Sequence, residues 1–497
     1  MERLSAQDLV SVTGDVRLGL DIGAIGRLDG TGLASGGGRF RIEAVRRVIE
    51  SRLCLVPHAR QVLYRPGPGL GWPVWVDAAG FDIADHVRVC PLAAPAGQAQ
   101  VLAACEQLRR RPLDLSRPRW QVWFLPGLDG GRVGVFLRVH HAMADGVAAV
   151  AAFGALFDLT ADSPAPAAPP WRPAAVPSAC ELLGDNARRR ARELGHALSG
   201  LADPGGMLRR ARRTWPAWRE ALAHRAPRTS LNCGRIGLDR RLALVRGDLG
   251  RADQIARAHG GTVNDVVLAA VAGGLRDLLL ARGEPVGDLV LRASVPVSLH
   301  QEPSGRPQGN RVGWMIVPLP AGEPCPARRL TMIAAESAGR KKNARPEITG
   351  GIFRFILAQR VLGLLLPYQR YLNMFITNVP GPPTPLYLAG APLLEVFPVL
   401  PITGNMALGV AVTSYAGQLN LTAVADRDRC PDVEVFAEGV RRALDELAQP
   451  AGPAIRPPGQ PAGEESGLPA QPACGRPRGG QIAGSGPATA QNSHSRC

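Results

Sequence analysis

Val133-Gly134-Val135-Phe136-Leu137-Arg138-Val139-His140-His141-Ala142-Met143-Ala144-Asp145-Gly146 is the stretch from which the rest of the chain can be read. Apart from Arg138 its first seven residues are apolar, and they predict a largely buried strand. Trp120-Gln121-Val122-Trp123-Phe124-Leu125 predicts a neighbouring strand, with a turn over Pro126 to Gly131 between the two. After Gly146, Val147-Ala148-Ala149-Val150-Ala151-Ala152-Phe153 holds too much alanine for a strand and predicts a helix. The His-His-x-x-x-Asp-Gly window therefore falls where a strand ends and a helix begins, a junction at which α/β proteins build sites.

Histidine is the side chain that takes a proton near neutral pH without large tuning. A carboxylate at Asp145 can fix an imidazole, and Gly146 lets the backbone turn sharply and come close to a ligand. A hydrogen-bonded core pair and a pair of metal ligands are the competing readings. The metal reading lacks a neighbouring His/Cys/Asp cluster at ligand spacing. General acid–base catalysis is the reading that the setting favours.

A chain of 497 residues exceeds one ordinary core and predicts two domains with extra segments. Its 45% hydrophobic and 20% charged content is that of a globular protein. The nine cysteines are odd in number and lack a CxxC pair, which predicts reduced thiols rather than a disulfide framework. Met1 to Asp8 has no signal-peptide layout, and Gly351 to Tyr368, the most apolar long stretch, is interrupted by Arg354 and Arg360. A cytoplasmic protein is expected, with peripheral contact at the inner membrane or lipid bodies. The net charge of +16 is nearly all arginine, since only Lys341 and Lys342 are lysines. With no recognised nucleic-acid motif, a nucleic-acid partner is not expected; an anionic membrane surface or a phosphate-bearing cosubstrate fits the charge.

The order of segments is expected to be a first domain over 1–162, a Pro-rich and basic linker over 163–229, a second domain over 230–448 and a disordered tail over 449–497. The linker holds Arg188-Arg189-Arg190, Arg209-Arg210, Arg212-Arg213, Trp215 and Trp218, a pattern of either a solvated linker helix or a peripheral lipid contact. In the second domain, Asp248 to His259 predicts a helix, and Thr262 is an N-cap for another running to Leu280. Strands are expected at Leu289–Val295, Val312–Val317 and Met374–Asn378, and a hairpin at Met406–Thr413 and Leu419–Val424. Mixed α/β layers are the fold class expected of both halves.

The chain resembles the bacterial wax ester synthase/diacylglycerol acyltransferases, a family of the chloramphenicol acetyltransferase-like superfamily. The resemblance rests on the histidine window together with Pro112-Leu113-Asp114, Ser116-Arg117-Pro118-Arg119-Trp120 and Thr262-Val263-Asn264-Asp265-Val266. Further matches are Ser294-Val295-Pro296-Val297-Ser298, Gly309-Asn310-Arg311, Asn378-Val379-Pro380-Gly381-Pro382, Ser414-Tyr415-Ala416-Gly417 and Ala425-Asp426-Arg427-Asp428. These occur in the family's order over residues 4 to 448.

The resemblance implies two chloramphenicol acetyltransferase-like domains with mixed sheets flanked by helices around a shared channel. It also implies acyl-CoA as cosubstrate with no bound cofactor or metal, and diacylglycerol or a long-chain alcohol as acceptor. His141 matches the catalytic base, His140 its neighbour, Asp145 the loop-propping aspartate and Gly146 the close-packing glycine; an arginine such as Arg292 is the partner expected for Asp145 on this chain's own residues. Asn264 and Asp265 match the family's Asn-Asp pair across the channel; a tetrahedral oxyanion needs a fixed donor, for which the Asn264 amide is the candidate, a helix-start hydrogen bond being its other reading. Asp265, Trp120, Asn310, Asn378 and Gly381 are implied to line the substrate channel. Two positions depart from the family: Arg119 replaces a leucine, and Leu20-Asp21-Ile22-Gly23 replaces Met-His-Val-Gly. Both departures are expected to alter the acceptor channel. An amide-forming condensation enzyme and a weakly active or non-catalytic lipid-binding relative share parts of the pattern.

Overall fold

Strand alternation and helix caps place the chain's chemistry-bearing residues in a computed structural model that describes residues 1–4, 12, 20–34, 39–56, 58–143, 146–163, 170–201, 205, 209, 212, 225–298, 312–343 and 366–449. The strands are β1 (Asp21–Leu28), β2 (Gln61–Tyr64), β3 (Val74–Asp77), β4 (Val87–Val89), β5 (Trp120–Pro126), β6 (Val133–His140), β7 (Arg240–Asp248), β8 (Val290–Ser298), β9 (Val312–Pro320), β10 (Met374–Val379), β11 (Tyr387–Leu388), β12 (Ala391–Val399), β13 (Leu408–Tyr415) and β14 (Gln418–Asp426). One six-stranded sheet runs β11-β12-β1-β6-β5-β4 and a second runs β7-β14-β13-β10-β8-β9, with β2 and β3 as a separate hairpin. Both large sheets mix directions: β4 is parallel to β5, and β10 is parallel to β8 and β13, among otherwise antiparallel ladders. This is the mixed α/β class expected.

β6 is buried along almost its whole length because β1 and β5 flank it and helices cover the sheet. The β1 partner is hard to see in sequence, since Gly23 and Gly26 weaken its strand pattern. The ladder explains Gly23, because a Cβ there would lie 2.4 Å from the Leu137 carbonyl oxygen. On its other side β1 pairs with β12, from Gly23 opposite Val399 to Leu28 opposite Leu393. A strand from late in the chain thus completes the first sheet, which the expected order of segments does not anticipate.

β12 also ties the sheets together. Gln418 Nε2 donates to the Leu394 carbonyl at 2.9 Å, Asn420 Nδ2 to that of Val396 at 2.9 Å, and the Tyr415 hydroxyl to that of Leu393 at 2.7 Å. Arg246 of β7 donates to both oxygens of Glu395, at 2.8 and 3.0 Å, in the bidentate geometry that suits guanidinium and carboxylate. Ile25, Phe136, Phe397, Leu242, Leu244 and Val424 fill the apolar layer between them.

The second sheet is covered by helices Leu249–Ala258, Val263–Ala281, Pro326–Asn343 and Val433–Leu447. Val263–Ala281 is buried on nearly all sides, with Leu268, Leu278 and Leu279 at 0% exposure. Burying each such side chain contributes about 1.5–3 kcal/mol before entropy is charged against it. The basic segment begins as a helix docked along one face. In Ala179–Leu201, Leu182 packs on Val74 and Val76, Asn186 Nδ2 donates to the Gly69 carbonyl at 2.9 Å, and Arg3 pairs with Asp185. Residues 450–497, most of the 351–368 stretch, and the residues Trp215, Trp218, Asp145 and Asn310 lie outside the described residues.

Candidate active site

β6 ends at His140, and the chain turns at once: the Met143 N–H donates to the His140 carbonyl at 2.9 Å before helix Gly146–Ala155 starts. Both histidine backbones are clamped. The His140 N–H donates to the Arg119 carbonyl at 2.9 Å, and the His141 N–H donates to the Leu20 carbonyl at 3.1 Å. His140 is 1% exposed, and its Nδ1 accepts the Ala142 N–H at 3.1 Å, so it shapes the turn from inside. His141 is only half-buried, with its Nδ1 edge enclosed. Of the two, His141 is the one open to a reactant.

The row that holds this turn is charged. Asp21 stands opposite His140 in the β1–β6 ladder and ion-pairs with Arg138. Arg138, 1% exposed, also donates to the Leu108 carbonyl at 2.6 Å and the Arg111 carbonyl at 3.0 Å, at the end of helix Gln98–Arg110. Arg109 donates to the Asp21 carbonyl at 3.4 Å, and burial pushes its guanidinium down to about 10. Arg119 is 3% exposed. The two departures expected to alter the acceptor channel, Arg119 and Asp21, are therefore built into the scaffold under the histidines. A polar residue inside an apolar strand, as Arg138 is, was the available signal.

The structure brings Asn264 and Asn378 together: Asn378 Nδ2 donates to Asn264 Oδ1 at 3.2 Å. That bond occupies the Asn264 carbonyl oxygen and leaves its amide N–H groups to serve as donors. β10, which carries Asn378, packs beside the Gly146–Ala155 helix that follows the histidines. Gly381 earns its identity from backbone proximity, since a Cβ would sit 2.3 Å from the Ser414 carbonyl oxygen; its N–H donates to Ser414 Oγ at 3.3 Å.

Two expected channel residues make structural contacts of their own. Asp265 is 2% exposed, and its Oδ2 accepts the Thr262 N–H at 2.8 Å and the Thr262 hydroxyl at 2.7 Å, closing a capping box at the start of Val263–Ala281. Trp120 is 5% exposed, stacks on His86 with centroids 4.7 Å apart and donates from Nε1 to the Ala59 carbonyl at 2.7 Å. It is a core side chain. One edge of it lines a recess of about 180 Å³ shared with Asp85, Arg88, Asp114 and Arg117, which pair with one another. Cys105 and Cys430 are buried, and burial raises both thiols, Cys430 to about 12, which makes them poor nucleophiles.

Two mixed sheets tied together across β12, with a histidine turn at the end of a central strand of one, define a fold found in solved acyl-transfer and condensation proteins. The structure of the wax ester synthase/diacylglycerol acyltransferase from Marinobacter aquaeolei VT8 superposes with a TM-score of 0.63 at 23% identity, covering 90% of this chain and 98% of that one. The first condensation domain of the CDA synthetase gives 0.55 at 18% identity, over 91% and 97% of the two chains. Family descriptions match as "Wax ester synthase/diacylglycerol acyltransferase catalytic domain" over residues 20–267 and "WS/DGAT C-terminal domain" over 308–448. A Mycobacterium tuberculosis protein with the provisional name diacyglycerol O-acyltransferase Rv1760 is 33% identical over 416 residues, 81% of this chain and 81% of that protein. A second from the same species, named "Probable diacyglycerol O-acyltransferase tgs1", is 30% identical over 386 residues, 76% of this chain and 82% of that protein. The chain belongs to the wax ester synthase/diacylglycerol acyltransferase family of acyltransferases.

If Asp265 caps its helix, Asp265→Ala lowers stability by about 1 kcal/mol, read as a lower Tm, with little change in KM for acyl-CoA. A large rise in KM at unchanged Tm would assign Asp265 to substrate instead.

Proposed function

We propose that this protein moves a long-chain acyl group from acyl-CoA to the hydroxyl of diacylglycerol or of a long-chain alcohol, with His141 as general base. The observation that carries the reading is the clamped turn that buries His140 and leaves His141 accessible in a chain of this family. A neutral His141 nitrogen takes the hydroxyl proton while the oxygen attacks the thioester carbonyl. The C–O bond forms, negative charge gathers on the carbonyl oxygen, and Asn264 N–H groups stabilise it. As the C–S bond breaks, the proton passes from His141 to the departing CoA thiolate. Asp145 supports the loop, and Asn310, Asn378 and Gly381 shape the channel wall. No side chain is acylated in this scheme.

The family matches across both halves favour O-acyl transfer over the amide-forming condensation reaction. His141→Ala should lower turnover about 10²–10⁴-fold with the fold intact. The assay combines a long-chain acyl-CoA with either diacylglycerol or a fatty alcohol and measures free CoA and product lipid. Near-wild-type turnover in the variant removes the base assignment, and no turnover in the wild type turns the reading to a lipid-binding role.

Acceptors of this kind barely dissolve in water, and no described helix is long and apolar enough to cross a membrane. We place the acceptor's source at an anionic lipid surface met by helix Ala179–Leu201. Its inner face is docked through Leu182 and Asn186, while Arg188, Arg190, Arg192 and Leu194 are exposed. Each arginine near an anionic surface contributes about 1 kcal/mol, and salt screens the attraction. Replacing Arg188, Arg190 and Arg192 by glutamine should weaken cosedimentation with anionic liposomes and spare activity on a short soluble alcohol. Binding equal to wild type, or indifferent to ionic strength, leaves this helix as a connector only.

A further inference from the structure

We infer that Asp21 is a positioning residue for the His140–His141 turn, acting through its ion pair with Arg138. The inference deepens the reading of His141 as base and rests on it. Three connections converge on the first residues of β1. The Leu20 carbonyl accepts the His141 N–H at 3.1 Å, so wherever the start of β1 goes, His141 follows. Asp21 lies directly opposite His140 in the ladder, and in an antiparallel pair such residues project to the same face. Its carboxylate pairs with Arg138, two residues before His140 on the same face of β6.

The Arg138 guanidinium is a junction rather than a simple partner. It bonds the Leu108 and Arg111 carbonyls at 2.6 and 3.0 Å, so Asp21, the end of helix Gln98–Arg110 and the end of β6 meet at one buried cation. Arg109, from the same helix end, reaches over to the Asp21 carbonyl oxygen at 3.4 Å. Its Nη1 is buried without a hydrogen-bond partner, as is Nε of Arg138, so cationic groups crowd this carboxylate. Burial pushes Arg109 down while Asp21 holds it up. Two guanidiniums in a dry site are tolerable because Asp21 offsets them. Without its charge they repel, and the slack appears at the strand ends that clamp the histidines. A general base works only when held within hydrogen-bond reach of the proton it removes, and a misplacement of about 1 Å can cost about 10²-fold in rate.

The experiment compares wild type, Asp21→Asn, the neutralised pair Asp21→Asn/Arg138→Gln, and His141→Ala, recording Tm together with kcat and KM well below each melting temperature. Asp21→Asn should lower kcat by about 10–100-fold while KM for acyl-CoA stays within about threefold. The pair, freed of the uncompensated charge, should regain most of the lost Tm yet keep the low kcat, because the tie between β1 and β6 is still missing. A kcat within about twofold of wild type in Asp21→Asn overturns the inference. So does recovery of kcat together with Tm in the pair, which would mean that the charges serve stability alone. Should Asp21→Asn fail to fold, the pair decides by itself; failure of both to fold assigns the junction to folding and overturns the inference too. Wild-type activity in His141→Ala sinks the base assignment instead, whatever the Asp21 variants do.

Discussion

The antiparallel ladder between Asp21–Leu28 and Val133–His140 is the constraint on which the remaining structure depends. It continues one residue further, into the bond from His141 to the Leu20 carbonyl, and so passes directly from sheet to site. A strand interior is a rigid support, whereas a loop free to move would spread the imidazole over many positions. The buried His140 inside the turn and the accessible His141 beside it follow from this geometry. Two adjacent residues of the same type thus meet different surroundings.

The second sheet contributes through β12. Because that strand pairs with β1 while its carbonyls are held by Tyr415, Gln418 and Asn420, β1 is braced from the far side by residues that belong to the other sheet. The Arg246–Glu395 bond adds a directional tie across the same seam. Asn264 is set by a different route. The Thr262–Asp265 capping box fixes the first turn of its helix, and Asn378 fixes its side chain. Histidine and asparagine therefore come from opposite halves of the chain, each held by short-range hydrogen bonds on its own side.

Much of this was legible in the residues. The β5–β6 pair, the helix after Gly146, the Thr262 cap and the β13–β14 hairpin all carry strong local patterns and form where expected. Asn264 and Asn378 were each singled out from resemblance, but the bond between them comes from the structure alone. β1 and β12 were not legible, for a physical reason: glycines in one and prolines in the other mask the strand pattern, and only the long-range ladder stabilises them. Asp265 and Trp120 were expected at substrate; a buried carboxylate at a helix start and a large aromatic in a strand are equally suited to capping and packing, and both make such contacts. Arg138 inside an apolar strand was a local sign of the charged row under the histidines, but its partner Asp21, 117 residues away in the chain, could not be read from it.

The central claim is direct transfer of the acyl group, with His141 moving the proton and no side chain carrying the acyl unit. Rapid mixing of the wild-type protein with a long-chain acyl-CoA, first without and then with a saturating acceptor alcohol, tests it most directly through the time course of CoA release. The account predicts no stoichiometric burst of CoA without acceptor, and release that tracks ester formation once acceptor is present, lost in His141→Ala. A burst of one CoA per protein in the absence of acceptor, with an acyl group recovered on a side chain, would contradict it.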